Sequence, residues 1–66
     1  MNVTVNGEMK VFQESITIEK LLIELGLEGK VMAAAVNMNI VKQDSWSEYT
    51  LSDGDKLELL DFVGGG

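Results

Sequence analysis

The sequence predicts one α+β domain in which a single helix lies across one face of a small mixed sheet. Three observations carry that prediction. Apolar and polar residues alternate at the start of the chain, apolar residues recur once at helical spacing, and strand-like runs then lead to three terminal glycines. Sixty-six residues make one domain with one thin core, too small for a deep substrate cavity of its own.

Val3 and Val5 alternate with Asn2, Thr4 and Asn6, the period of a half-buried strand, and Asn6-Gly7 is the favoured dipeptide for a tight hairpin turn. A second strand, residues 9–13, is expected to pair back on the first. From Thr17 the period changes: Ile18, Leu21, Leu22 and Leu25 fall at i, i+3, i+4 and i+7 and form one apolar helical stripe. Thr17 suits the N-cap, Glu19 the positive first turn and Gly26 a left-handed C-cap.

Residues 31–36 (VMAAAV) are apolar without alternation, and periodicity leaves strand and helix open because Ala favours helix. A length of six residues, between Gly29-Lys30 and the polar Asn37, favours strand. Ile40-Val41, a polar stretch holding Trp46, and Tyr49-Thr50-Leu51 follow, leading into the turn Asp53-Gly54-Asp55. Residues 56–63 form the last strand. The division is therefore a domain over 1–63 and a flexible glycine tail over 64–66. Short turns join antiparallel neighbours, and the helix is expected to be the crossover between parallel ones. Its stripe then covers Val3, Val5, Leu57, Leu59 and part of the Ala-rich strand.

Composition excludes several function classes. Without Cys there are no disulfides, thiolate metal sites or thiol nucleophiles, and without His there is no imidazole ligand and no Ser-His or Cys-His pair. Arg and Pro are absent too. Eleven acidic residues against five Lys give a formal charge of −6, which repels phosphate backbones and anionic lipid and favours basic protein partners. No apolar run approaches the roughly 20 residues of a membrane span. The start of the chain lacks the basic-then-apolar order of a signal peptide, so the expected location is the cytoplasm.

Trp46 reads as a lid on one end of a small core. Asp53 and Asp55 read as turn residues around Gly54 rather than as cation ligands. Met9, Met32 and Met38 are expected to fill gaps in the core. Glu14, Glu19, Glu24 and Glu28 are expected to form a solvated acidic surface able to meet basic groups on a partner.

The order of hairpin, helix, short Trp-bearing segment, Asp-Gly-Asp turn, strand and terminal Gly-Gly resembles the ubiquitin-like β-grasp sulfur carriers, most closely the ThiS family of thiazole biosynthesis. The resemblance spans the chain and rests on Ala35-Val36-Asn37, Ile40-Val41, Trp46, Asp53-Gly54-Asp55 and Gly65-Gly66. Each string is weak alone; their order and spacing are specific. Lys42 and Gln43 stand where Arg is frequent in that family, and an ammonium cannot supply the bidentate guanidinium fork. Gly64 is a further variation. The small subunits of molybdopterin synthase share the fold and tail but usually run longer, which favours the thiazole carrier.

The resemblance implies a protein co-substrate rather than an enzyme. A partner adenylyltransferase of the ThiF type, using ATP and magnesium, would convert the Gly66 carboxylate to an acyl-adenylate, and a sulfur-donating protein would displace AMP to leave a thiocarboxylate. A thiazole synthase of the ThiG type would then accept the sulfur. Gly66 bears the sulfur; Gly65 and Gly64, lacking Cβ atoms, give slenderness and reach. On composition alone three terminal glycines also fit a fraying end or a tag remnant. Strand phase puts Leu57 and Leu59 on the core face and Glu58, Leu60 and Phe62 on the other, so Leu60 and Phe62 form a candidate docking patch beside the tail. Other roles are sulfur transfer to molybdopterin, a non-covalent ubiquitin-like interaction module, or conjugation of Gly66 to lysines. An end at Gly-Gly, with its carboxylate exposed, favours activation over the non-covalent role.

Overall fold

The computed structural model describes residues 1–61. Their elements are β1 (Asn2–Val5), β2 (Glu8–Val11), α1 (Ile18–Glu24), β3 (Val31–Val36), β4 (Asn39–Val41), a 3₁₀ turn (Gln43–Ser45) and β5 (Lys56–Asp61). The strands form one mixed sheet in the order β2-β1-β5-β3-β4, with α1 packed on one face through Ile18, Leu21 and Leu22.

The hairpin at Asn6-Gly7 forms as expected. Asn6 and Gly7 both take positive φ (48° and 85°), and β1 pairs antiparallel with β2 from Asn2↔Val11 to Val5↔Glu8. The second strand ends at Val11, short of Gln13, although Phe12 still exchanges backbone hydrogen bonds with Met1 and is buried in the core.

Both ends of α1 are closed by its own sequence and by the segment after β4. Thr17 Oγ1 accepts from the Lys20 N–H (3.1 Å), while the Ile18 and Glu19 N–H groups donate to the Tyr49 and Trp46 carbonyls, each at 3.1 Å. No first-turn donor is left to seek a partner in the core. At the other end Gly26 takes φ +72°, the Gly26 N–H donates to Ile23 O and the Leu27 N–H to Leu22 O. This is a Schellman closure, with Leu27 partly buried against the core.

The crossover expectation is corrected. The parallel neighbours are β1 and β5, paired Thr4↔Lys56 and Val5↔Leu57, yet α1 connects β2 to β3, which are not adjacent. The last strand inserts between the first and third, parallel to β1 and antiparallel to β3. It buries Leu57 and Leu59 between those neighbours and α1, and this central place outweighs any local rule about crossovers.

The methionine expectation is also corrected. Met9, Met32 and Met38 are all exposed. Met9 pairs opposite Thr4 on the face that α1 does not cover. Met38 sits in the β3–β4 turn at φ 72° and is 90% exposed. Met32 is the extra residue of an irregularity in β3, where the register passes from Val31↔Asp61 to Ala33↔Leu60. That bulge lets Val31 and Ala34, three apart, both face the core. It explains why residues 31–36 show no alternation while forming a strand.

Trp46 is the expected lid. It is buried, and its Nε1–H donates to the Val41 carbonyl (2.8 Å), tying the segment after β4 to that strand's end. Among the described residues no polar or charged side chain is buried.

Candidate functional site

β5 positions the site. Leu57 (0% exposed) and Leu59 face the core, whereas Glu58 and Leu60 (51% exposed) face solvent, as strand phase requires. Phe62, the other member of the expected docking pair, and the tail residues Gly64, Gly65 and Gly66 lie outside the described residues. So does the expected boundary at residue 63.

Leu60 does not stand alone. Its register partner across β5 and β3 is Ala33, Glu58 lies opposite Ala35, and Ala35 lies opposite Ile40 on β4. These residues therefore share the uncovered face. Two alanines between Leu60 and Ile40 leave a shallow hollow of about 250 Å³, lined by Ala33, Ala35, Ile40 and Leu60, with Glu58 as its one charged side chain. Ile40 is 74% exposed and adds a second large apolar side chain to this face. Sequence reasoning found Leu60 but missed Ala33, Ala35 and Ile40. The missed signal is Ile40 itself, one residue past a two-residue hairpin, where strand phase sets it opposite Ala35.

The start of β5 is held by Asn37. This residue takes φ 50° in the β3–β4 turn; its N–H donates to Lys56 O (2.8 Å), its Oδ1 accepts from the Lys56 N–H (3.0 Å), and its Nδ2 donates to Asp55 Oδ1 (3.0 Å). The carboxylates of the Asp-Gly-Asp turn are likewise taken up by hydrogen bonds, one local and one to the start of β1. Asp53 Oδ1 accepts from the Asn2 N–H (2.6 Å) and Asp55 Oδ2 from the Ser52 N–H (2.8 Å), with Gly54 at φ +88° between them. Among the described residues no cluster of three or more acidic side chains could hold a metal ion.

A second hollow of about 120 Å³ lies under Trp46, lined by Leu22 and Val31 with Glu19 and Glu28. Both hollows fall below the about 300 Å³ at which small-molecule pockets begin, so the described surface suits a protein partner better than a metabolite. Glu14, Glu19, Glu24 and Glu28 are all exposed, as expected. The ion pairs among the described residues are Lys10 with Glu8 (3.3 Å) and the Met1 amine with Glu14 (3.7 Å), which leaves most of the acidic surface facing solvent. No helix among these residues is long and apolar enough to cross a membrane.

Comparison with known proteins decides the family. The model of the ThiS family matches residues 3–66. The chain belongs to the ThiS family. It is similar to the sulfur carrier protein ThiS of Bacillus subtilis (strain 168), with 36% identity over 62 residues, covering 92% of this chain and 94% of that protein. It is also similar to the thiazole synthase of Paramagnetospirillum magneticum, with 42% identity over 66 residues. That match covers all of this chain and 20% of the relative, so the chain spans about a fifth of that protein's length. Among solved structures it resembles the crystal structure of the thiamine biosynthesis protein ThiS from Geobacter metallireducens, with TM-score 0.82, 33% identity and each chain covered in full. The mixed sheet with α1 across one face is thus a β-grasp.

Proposed function

We propose that this ThiS-family chain carries sulfur for thiazole formation in thiamine biosynthesis, with the Gly66 carboxylate as the carrying group. The observation that supports this reading above others is that the family match runs through residue 66, tail included. A ThiF-type adenylyltransferase, working in the cytoplasm, supplies ATP and magnesium. A Gly66 carboxylate oxygen attacks the α-phosphate, pyrophosphate leaves, and the acyl carbon becomes reactive because AMP is a good leaving group. Hydrosulfide released by a donor protein then attacks that carbon, AMP departs as the leaving group and a proton is lost, leaving the thiocarboxylate.

With no His, no Cys and no metal cluster among its described residues, the chain contributes binding and delivery, while the partners contribute the chemistry. The hollow between Leu60 and Ile40 is the docking face for those partners, with Phe62 adjoining it in sequence. Its apolar centre beside Glu58, on a chain of charge −6, matches an apolar patch rimmed by Lys or Arg. The five residues after Asp61 span at most about 17 Å when fully extended, which sets how far the docking face can lie from the partner's active centre. Kinship over the whole chain with a thiazole synthase favours a ThiG-type acceptor over molybdopterin.

The test is genetic. Removing Gly65 and Gly66 from the chain in its own cells should impose a thiamine requirement that the thiazole moiety relieves. Growth without either supplement would reject the reading.

A further inference from the structure

β1 leaves the sheet before its partner does. In a parallel ladder running past Val5↔Leu57, the backbone carbonyl of Asn6 would accept from the Leu59 N–H, and the N–H two residues further on would donate to Leu59 O. The chain instead turns at Asn6 (φ 48°) into the hairpin, and its backbone makes only the first bond, Asn6 N–H to Leu57 O (2.9 Å). The two vacated positions are filled by the Asn6 side chain. Its Oδ1 accepts from the Leu59 N–H (2.7 Å) and its Nδ2 donates to Leu59 O (3.2 Å). One carboxamide thus stands in for a peptide group and carries the ladder two residues further along β5.

We infer that Asn6 is a positioning residue for the proposed sulfur transfer. By clamping both backbone polar groups of Leu59 it holds the β1 side of the outgoing end of β5, whose other side pairs with β3, and with it the direction of Leu60 on the docking face. Only a side chain with a donor and an acceptor in one plane makes both bonds. Asp retains the acceptor but sets a carboxylate oxygen against Leu59 O, and Gly keeps the positive φ while making neither bond. The inference rests on the proposed carrier role for its kinetic consequence but not for the clamp itself.

The experiment compares the full chain with Asn6→Gly, Asn6→Asp and Thr17→Ala, the last a helix-cap variant that loses stability without touching β5. Two quantities are read: hydrogen exchange at the Leu59 amide, and the kcat/KM for thiocarboxylate formation with an activating enzyme, ATP, magnesium and a sulfur donor. Asn6→Gly should speed Leu59 exchange at least tenfold relative to Thr17→Ala and lower kcat/KM about tenfold, with Asn6→Asp between Asn6→Gly and wild type on both. A Leu59 amide as protected in Asn6→Gly as in Thr17→Ala would overturn the clamp. Equal kcat/KM in those two variants would overturn the positioning role. If the wild-type chain acquires no sulfur, the carrier reading fails instead, and the exchange measurement still decides whether the clamp exists.

Discussion

Two substitutions three residues apart on β5 should separate stability from recognition. Leu57 has no solvent exposure and packs between β1, β3 and α1, so Leu57→Ala loses both transfer free energy and packing and should cost about 3–5 kcal/mol. A 66-residue domain has about 3–10 kcal/mol in total, so this single change removes about three-tenths of the stability or more. Leu60 is half exposed opposite Ala33, and Leu60→Asp should cost about 1 kcal/mol through strand propensity alone. Trp46, the single tryptophan and buried, reports unfolding by its fluorescence. With a urea dependence near 1 kcal/mol per molar, the Leu57→Ala midpoint should fall by about 3–5 M and that of Leu60→Asp by about 1 M. Equal shifts in the two variants would refute the assignment of β5's faces, and with it the docking surface.

Three further outcomes follow from particular residues. Gly26→Ala should cost about 1 kcal/mol through its left-handed backbone alone, since an added Cβ at φ +72° meets nothing within 4 Å; thermal unfolding checks it. Met38→Gly should raise stability by about 0.5 kcal/mol, because Met38 pays for a positive φ in a two-residue turn without burying its side chain; a lowered Tm would contradict this. Ile40→Asp, on the exposed edge strand, should keep the Tm within a few degrees yet weaken binding to the activating enzyme at least tenfold in a calorimetric titration. Wild-type binding should itself weaken as salt rises.

What was legible in the sequence was local. Thr17 and Gly26 act on backbone groups within five residues, so the ends of α1 could be read from residue types. The phase of β5 was equally legible, since alternate residues of a strand must face opposite ways. The position of β5 between β1 and β3 was not, because pairing between segments far apart in the chain, more than fifty residues in the case of β1, leaves no trace in either segment. The same distance hid Asn6, whose turn chemistry was plain but whose carboxamide bonds Leu59. Met9 and Met32 misled because hydrophobicity does not report which face a strand residue occupies, and the bulge at Met32 removed the alternation that would have shown it; Met38 misled because it sits in a turn. Ile40 gained its meaning only when two alanines were placed between it and Leu60.

The carrier role is tested most directly by the intact mass of the chain after incubation with an activating enzyme of the ThiF type, ATP, magnesium and a sulfur donor. One oxygen replaced by sulfur, localised to Gly66 and absent when ATP is withheld, is the predicted result. An unchanged mass under conditions in which the Bacillus subtilis ThiS protein acquires sulfur from its own partners would contradict it.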